Sequence, residues 1–359
     1  MKILHIVGNR PQFIKLAVLH KAMISNGIES IILHTGQHFD SNMSDIFFAE
    51  LEIPLPDFEL GVNQMAHNEM IGIMLEKIDP VLTLVKPEAA LVFGDTNSTL
   101  AGALAAKKRN IPVIHIEAGI RTRDEQMPEE INRYLTDRIS SLNFCSTYLG
   151  MENLEKEGYF SGAVHSKVYN CGDLLLDASI IFKEKALQKA QKAKGIDPQK
   201  PFVLTTIHRE ENTENEINLR NIIDALNNIH QHTPVIFPMH PRTRGICEKN
   251  GFVIRFTVCD PLGYLDMLAL VQNCQSVITD SGGLSREAFF FSKPTLVLMQ
   301  NPFWPEIFIH GNCLQSKTTA EEILAKHALL LNSNKSFQTD VFGKGDAAEN
   351  ISNTILSAF

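Results

Sequence analysis

The sequence predicts an α/β fold with two sets of parallel strands. Short runs such as 3–7 and 89–93 are aliphatic throughout instead of alternating with polar residues, which is typical of strands buried on both faces of a parallel sheet. Longer stretches such as 68–85 and 218–230 place apolar residues at helical spacing between these runs. The length of 359 residues, at about 150 residues per domain, suits two domains. Strands that alternate with helices in this way indicate parallel α/β architecture.

The predicted elements follow one another at regular intervals along the chain. Strands are expected at 3–7, 30–34, 89–93, 112–116, 142–145, 168–170, 202–206, 235–238, 253–257, 277–279 and 295–299. Helical patterns occupy 43–51, 68–85, 99–109, 129–139, 179–194, 218–230, 264–272, 284–291 and 347–359. The lysine-rich run that ends at 194 is typical of a solvated helix face, and it separates two sets of similar size. We therefore expect an N-terminal domain at 1–170 and a C-terminal domain at 171–344.

The composition excludes several classes of partner and cofactor. A net charge of −8 argues against binding to nucleic acid or to an anionic membrane surface, so an anionic ligand must be held by a few placed cations. Six cysteines without a CxxC pair favour a reducing, cytoplasmic compartment, and no apolar run approaches the ~18 residues of a membrane span. We find no zinc or calcium spacing, no GxGxxG and no GxxxxGK[ST], so neither a metal nor a nicotinamide cofactor is expected.

Polar, charged or glycine residues directly follow six of the predicted strands. These segments are 8–10, 94–96, 117–121, 208–210, 239–242 and 280–283. In open parallel sheets the ligand lies outside the carboxyl ends of the strands. We therefore expect the two sheets to face one central cleft in which residues of both halves converge.

Two of these segments suggest a phosphate site. Arg10 and Lys15 flank the start of the first helix, where fixed cations would help to neutralise a pyrophosphate. Ser281, Gly282 and Gly283 open a later helix, and glycines there let backbone N–H groups approach a phosphate. The alternatives are surface charges for the first pair and an ordinary N-cap with a turn for the second. Phosphate binding is the favoured interpretation.

A second group of residues suggests proton transfer. Asp95 and Glu117 directly follow apolar strands, where an unpaired carboxylate would be costly, although Asp95 has the alternative of capping the next helix. Glu129 opens a helix, where a carboxylate suits the helix dipole. Together with His208, these acids supply what proton abstraction and return would need.

Nine blocks carry a resemblance to a known family. They read GNRPQFIK (8–15), TGQHFDSNMSDIFF (35–48), VFGDTNSTLAGALAA (92–106), HIEAGIRT (115–122), MPEEINRYLTD (127–137), TIHREEN (206–212), PMHPRT (238–243), PLGYLDML (261–268) and TDSGGLSREA (279–288). In this order they resemble the non-hydrolysing UDP-N-acetylglucosamine 2-epimerases. The resemblance implies a GT-B-like pair of Rossmann-like domains, with the helix at 345–359 returning to the N-terminal domain. It also implies a homodimer that interconverts UDP-N-acetylglucosamine and UDP-N-acetylmannosamine for cell-surface polysaccharide precursors.

The resemblance also assigns roles by motif position. It implies a catalytic group of Asp95, Glu117, Glu129 and His208, a UDP-sugar-binding set of Arg10, Lys15, His240, Ser281, Gly282, Gly283 and Glu287, and an effector region that includes Gln37, His38 and Met43. In this family a base removes the C2 proton while UDP leaves C1, and the glycal is then protonated on the other face as UDP adds back. Which side chain acts on which face stays open.

Departures from the family pattern leave the sugar open. Many members carry Thr and Glu where this chain has Asn9 and Gln12, and many carry Arg before a Pro-Glu pair where this chain has Trp304. The wording of the first blocks resembles the branch that includes epimerases of UDP-2,3-diacetamido-glucuronic acid. A GT-B glycosyltransferase, a hydrolysing epimerase and a sugar-nucleotide-binding protein without catalysis are the further alternatives.

Overall fold

A computed structural model describes residues 1–37, 48–162, 164–190, 200–333 and 337–359. Chain contacts divide these residues into two units. The first unit comprises Met1–Ile180 and Asp340–Phe359, and the second comprises Ile181–Thr339. These units are defined by contacts within the chain, whereas the boundaries expected after 170 and before 345 refer to domains that fold independently. Those boundaries stay a prediction.

Among the described residues, the strands form two sheets, and every adjacent pair of strands is parallel. The strands are β1 (Lys2–Val7), β2 (Glu29–His34), β3 (Phe58–Glu59), β4 (Ala89–Phe93), β5 (Val113–Ile116), β6 (Leu142–Cys145), β7 (Lys167–Asn170), β8 (Val203–Thr206), β9 (Val235–Pro238), β10 (Thr257–Cys259), β11 (Ser276–Thr279), β12 (Thr295–Val297) and β13 (Cys313–Gln315). The first sheet has the order β3-β2-β1-β4-β5-β6-β7, and the second has the order β10-β9-β8-β11-β12-β13. The strand order reverses between β1 and β4 and between β8 and β11. Each sheet therefore has a switch point, where the carboxyl ends of neighbouring strands leave room for a ligand.

Helices connect these strands in both units. They are α1 (Arg10–Ser25), α2 (His67–Val85), α3 (Asn97–Lys108), α4 (Pro128–Ile139), α5 (Tyr148–Lys156), α6 (Leu174–Ala190), α7 (Glu210–Thr213), α8 (Glu216–His230), α9 (Pro241–Lys249), α10 (Tyr264–Asn273), α11 (Gly282–Phe290), α12 (Glu306–Ile309), α13 (Ala320–Leu331) and α14 (Ala347–Ala358). The predicted helix at 43–51 falls largely on residues outside those described. In the ranges given above, no helix is both long and apolar enough to span a membrane.

The strands are apolar along their whole length because helices cover both faces of each sheet. Every residue of β4 is buried, and five of the six residues of β1 are buried. Leu4 and Ile6 of β1 pack with Val92 of β4 and with Met74 of α2 in one core cluster. Because each fully buried aliphatic side chain contributes about 1.5–3 kcal/mol, this core holds β1 and β4 side by side and positions the loops that follow them.

One predicted strand is wrong and others were missed. The strand expected at 253–257 is observed as β10, which begins only at Thr257, and Val253 is 65% exposed. The Asn227 side chain replaces the ladder there, since it donates to the Val253 carbonyl at 2.7 Å and accepts from Arg255 N at 2.8 Å. The edge strands β3 and β13 were not predicted, because two or three residues carry no periodic signal.

The C-terminal helix α14 packs against α1 within the first unit. Asn26, at the end of α1, donates to Ser352 Oγ at 2.9 Å and to Asn353 Oδ1 at 3.0 Å. At the other end, the buried Asp177 carboxylate accepts from the backbone N–H groups of Ala347 and Ala348 at 3.2 and 2.8 Å. These bonds satisfy helix N–H groups that have no partner inside the helix.

Candidate active site

The switch point of the first unit lies beside Gly94 and Glu117, which follow β4 and β5. Both residues have a positive φ, +64° for Gly94 and +66° for Glu117. A Cβ atom on Gly94 would lie 3.3 Å from Glu117 Oε2, so glycine serves both the turn and the close approach of the carboxylate. A left-handed conformation is uncommon for glutamate and is typical of functional positions. The backbone therefore holds this carboxylate at the strand end at an energetic cost.

Glu117 forms a buried ion pair with Lys15 of α1. Only 4% of the lysine side chain and 7% of the glutamate side chain are exposed. Removing two charges from water is costly, and the close pairing offsets much of that cost. The structure thus joins a residue predicted to bind phosphate with a residue predicted to transfer protons, although the two are 102 positions apart. The role of Lys15 in UDP binding stays a prediction.

Gln12 explains one departure of this chain from the family pattern. Its side-chain oxygen accepts from Gly8 N at 2.7 Å, and its amide nitrogen donates to the Phe93 carbonyl at 2.8 Å. An ionised glutamate has no hydrogen to offer the carbonyl, so the amide suits this position. Asn9 caps α1 by accepting from Gln12 N at 3.2 Å, and the half-buried Arg10 begins the helix. The loop after β1 is therefore tied to the loop after β4.

Asp95 lies at the end of β4 and pairs with Arg133 of α4. Its side chain is 28% exposed, whereas Arg133 is almost completely buried. Arg133 also donates to Glu130 Oε2 at 2.9 Å. Burial alone would raise the pKa of Glu130, but bonds from the N–H groups of Thr122 and Arg123 and from Arg133 lower the pKa instead. Arg133 thus connects a partly exposed carboxylate to a structural one. The alternative for Asp95, a cap on the next helix, is filled by Thr96.

Glu129 and Glu130 are neighbours in sequence, but the structure separates their environments. Glu130 is fully buried and holds the turn at Thr122 and Arg123. Glu129 is only half-buried in the first turn of α4. The structure therefore gives Glu130 a structural position and leaves the catalytic role of Glu129 a prediction.

Part of the predicted effector region lies beside the same switch point. Gln37 Oε1 accepts from Ser98 Oγ at 2.7 Å and from Ser98 N at 3.0 Å. Ser98 Oγ in turn lies 2.7 Å from Thr35 Oγ1. His38 and Met43 lie outside the described residues, so an effector role for this region stays a prediction.

Asp280 organises the switch point of the second unit, and sequence reasoning gave it no role of its own. Its fully buried carboxylate accepts from His208 N at 3.0 Å, from Arg209 N at 2.9 Å and from Asn212 Nδ2 at 3.0 Å. His208 Nδ1 lies 3.2 Å from Asp280 Oδ1. The His208 ring is 52% exposed beside this carboxylate, so it stays accessible for proton transfer. The one sequence signal for this role is the position of Asp280, an acidic residue that directly follows an apolar strand.

The start of α11 combines a cap with a glycine pair. Ser281 Oγ accepts from Leu284 N at 3.3 Å, so the N-cap alternative for Ser281 is confirmed. Gly282 and Gly283 form the first helical turn, where backbone N–H groups have no partner inside the helix. A Cβ atom on Gly282 would lie 3.0 Å from the Phe303 ring, which explains the need for glycine there. Glu287 follows one turn later and is buried.

His240 also has a structural function. It is exposed and caps α9, because its Nδ1 accepts from Arg242 N at 3.2 Å. The cap at the strand end thus leaves the His240 ring at the surface. Its role as a UDP ligand stays a prediction.

Two aromatic residues after β12 carry stacked arginines. The Arg286 guanidinium lies 3.9 Å from the centre of the Trp304 ring, and the Arg209 guanidinium lies 4.8 Å from the centre of the Phe303 ring. A guanidinium over an aromatic face is attracted by the ring quadrupole. Where many family members have an arginine, this chain thus has a tryptophan that holds an arginine from α11.

A Rossmann-like sheet with carboxylates at its switch point, and a second with a glycine-opened helix, define the class as a nucleotide-sugar enzyme. The family model described as UDP-N-acetylglucosamine 2-epimerase matches residues 21–356. The chain belongs to this family and is an isomerase, so the glycosyltransferase alternative is wrong. The fold class is confirmed as two Rossmann-like parallel α/β units.

Individual relatives cover almost the whole chain. The UDP-2,3-diacetamido-2,3-dideoxy-D-glucuronate 2-epimerase of Pseudomonas aeruginosa is 44% identical over 353 residues, which are 98% of each chain. The crystal structure of the Methanocaldococcus jannaschii UDP-GlcNAc 2-epimerase in complex with UDP-GlcNAc and UDP matches with a TM-score of 0.89 at 35% identity over 100% of both chains. The Neisseria meningitidis UDP-GlcNAc 2-epimerase bound to UDP-GlcNAc matches with a TM-score of 0.89 at 29% identity, over 99% of this chain and 100% of that one.

Proposed function

We propose that the protein interconverts UDP-N-acetylglucosamine and UDP-N-acetylmannosamine. The observation that carries this proposal is the pair of carboxylates, Asp95 and Glu117, at adjacent strand ends with different surroundings. Glu117 is buried beside Lys15, whereas Asp95 is partly exposed beside Arg133. Two carboxylates in different environments can divide the acid and base roles of a proton transfer. The relationship to the M. jannaschii enzyme over the whole chain supports the choice of sugar nucleotide.

The proposed reaction is an elimination followed by a re-addition. A base removes the proton from C2, the C–H electron pair forms the C1=C2 double bond, and the C1–O bond breaks with its electrons on the departing UDP. In the second half, an acid protonates C2 of the glycal on the opposite face while the UDP oxygen bonds to C1 again. No oxidant or metal is required, and UDP must stay bound between the two halves.

The side chains divide into two groups for this reaction. We assign proton transfer to Asp95, Glu117, Glu129 and His208, and retention of UDP to Arg10, Lys15, His240, Ser281, Gly282, Gly283 and Glu287. Backbone N–H groups at the start of α11 suit a pyrophosphate, because the helix dipole and the open donors both favour an anion. The His208 ring, oriented by Asp280, suits a proton shuttle.

A uronate substrate is the second candidate. The 44% identity to the P. aeruginosa diacetamido-glucuronate epimerase exceeds the 35% identity to the M. jannaschii enzyme. The chemistry at C1 and C2 is the same for both sugars, so the proton-transfer assignments do not change. Only the groups that bind C3 and C6 of the sugar would differ.

An isotope experiment tests the proposal. The protein is incubated in D2O with UDP-N-acetylglucosamine, and in parallel with UDP-2,3-diacetamido-2,3-dideoxyglucuronate, and the products are followed by NMR. We expect deuterium at C2 and both epimers at equilibrium for one of the two sugars. Absence of exchange with both would refute the proposal, and free N-acetylmannosamine would indicate a hydrolysing enzyme. We expect Glu117→Gln and His208→Asn to greatly slow exchange while UDP affinity stays largely intact, and unfolding of either variant would assign that residue a structural role.

We also propose that the protein works as a cytoplasmic homodimer that supplies precursors for cell-surface polysaccharide. The family resemblance supports this setting, and the free, mostly buried thiols suit a reducing compartment. Light scattering during size-exclusion chromatography tests the dimer, for which we expect twice the chain mass of 40.1 kDa. A single chain mass at micromolar concentration would contradict it.

A further inference from the structure

His115 of β5 lies two residues before Glu117 and is completely buried. Its Nδ1 is 2.7 Å from Asp137 Oδ1, and its Nε2 is 2.7 Å from the carbonyl oxygen of Gly94. A carbonyl oxygen accepts hydrogen bonds and cannot donate them, and the same holds for an ionised carboxylate. Both ring nitrogens must then donate, which only the imidazolium form can do.

The surroundings of Asp137 favour its ionised form. Burial would raise its pKa, but the bonds from His115 and Arg121 and the positive charge of Arg121 lower it. Asp137 Oδ2 also faces two donors, an Arg121 guanidinium nitrogen at 2.7 Å and Gly119 N at 3.2 Å. A protonated Asp137 would give up part of this bonding. The neutral alternative, with the hydrogen on Asp137, is therefore disfavoured.

The cluster around His115 contains one fixed cation and two carboxylates. Arg121 forms two bonds of 2.7 Å with Glu157 and also lies 2.7 Å from Asp137 Oδ2. Cys145 and Tyr159 also pack here, and burial followed by the charge of Asp137 raises the pKa of both. The Tyr134 ring lies 4.2 Å from the Arg121 guanidinium, and burial raises the pKa of the neighbouring Cys171 as well. The two thiols and the Tyr159 hydroxyl are therefore neutral near pH 7. A charge on His115 would balance the second carboxylate, whereas a neutral ring would leave this cluster with one uncompensated negative charge.

This cluster holds both loops that carry the candidate acids of the first unit. The Gly94 carbonyl, bonded by His115, belongs to the peptide that leads into Asp95. The Gly119 N–H, bonded by Asp137, closes the turn that begins at Glu117. The Gly94 N–H, in the preceding peptide, also bonds to the Ile116 carbonyl at 2.9 Å, so both backbone groups of Gly94 are held. The two carboxylates thus share one buried anchor.

We propose that His115 is a positioning residue with a hydrogen on both ring nitrogens, and that together with Asp137 it holds the Gly94–Asp95 peptide and the Glu117 turn in the arrangement required for proton transfer. The positioning part rests on the proposed function, whereas the protonation of the ring does not. His115 acts through Gly94 and Asp137 and does not touch the substrate in this proposal. A small displacement of reacting groups can lower a rate by about 100-fold, so loss of this anchor is expected to act on kcat.

Ring-¹⁵N-labelled histidine tests the protonation in the wild-type protein, with His115→Gln used to assign the signal. Both nitrogens of His115 should carry hydrogen in the folded protein near pH 7, because each faces an acceptor. His5 of β1 is a matched reference in the same sheet, since it is equally buried and burial lowers its pKa to about 3. His5 should show the neutral pattern at the same pH. A neutral pattern for His115 near pH 7 would overturn the proposal.

Kinetics test the positioning role. We expect His115→Phe, which keeps a ring but no donor, to lower kcat by about 100-fold with UDP affinity changed less than about threefold. His115→Gln retains one N–H donor and should recover part of that loss, while His5→Leu should leave kcat unchanged. A folded His115→Phe with kcat within about threefold of wild type would refute positioning. If the wild type epimerises neither UDP-sugar, the proposed function fails, and the labelling result still decides the protonation state.

Discussion

Removal of the Lys15 charge should show how much the buried ion pair with Glu117 contributes to the free energy of unfolding. In Lys15→Met the carboxylate stays in a site where only 7% of its side chain is exposed. Breaking a buried pair by removing one partner costs about 3–5 kcal/mol, because the remaining charge loses its counter-charge. Glu117→Gln should cost a similar amount, since it leaves the lysine charge buried. The double variant Lys15→Met/Glu117→Gln buries no charge and should cost less than the sum.

Urea unfolding at pH 7 measures all four proteins of this cycle. We expect a coupling free energy of at least about 2 kcal/mol, which lies within the range for residues in contact. Lys21 provides a matched control on the same helix, because its pair with Glu52 at 3.1 Å is 44% and 58% exposed. Lys21→Met should change stability by less than about 1 kcal/mol. Additive costs in the Lys15 cycle, or a cost below that of Lys21→Met, would refute the reasoning.

Three further predictions follow from single contacts. Burial lowers the pKa of His5 to about 3 in the folded protein, whereas its ordinary value is 6.5. The folded wild type should therefore lose about 2 kcal/mol of stability between pH 7 and pH 5, because only the unfolded chain takes up this proton. His5→Leu lacks the group and should lose about 2 kcal/mol less over the same range. Gly119→Ala should destabilise the first unit by more than about 3 kcal/mol in thermal unfolding, since its Cβ would overlap the Gly150 carbonyl at a φ of +78°. Asp280→Asn should lower kcat more than about tenfold, because the amide no longer accepts all the bonds that orient His208.

Each of these three has a clear contrary result. Equal acid sensitivity of His5→Leu and wild type between pH 7 and pH 5 would show that His5 is not held neutral. Gly27 has a φ of +74° with no atom near its Cβ position, so Gly27→Ala should cost only about 1 kcal/mol, and a similar cost for Gly119→Ala would contradict the clash. An unchanged kcat for Asp280→Asn would show that catalysis does not depend on the positioning of His208 by Asp280.

Much of the fold could be predicted from local patterns. Apolar strands such as β4, with every residue buried, carry their burial in the sequence itself. The failure at 253–257 shows the limit, because the aliphatic Val253 is exposed and its backbone bonds to a side chain of α8. Sequence spacing reports how apolar a segment is, but not which backbone groups find a partner in the sheet.

The sequence by itself determined the parallel α/β architecture and the strand-end positions of Asp95 and Glu117, because these depend on neighbours along the chain. Only the tertiary structure decided which charges meet: Lys15 with Glu117, Arg133 with Asp95, and His115 with Asp137. His115 sits in an apolar strand, where spacing alone cannot distinguish a packed imidazole from a charged one. Burial and hydrogen-bond partners set the charge of a side chain, and both are supplied by residues far away in sequence.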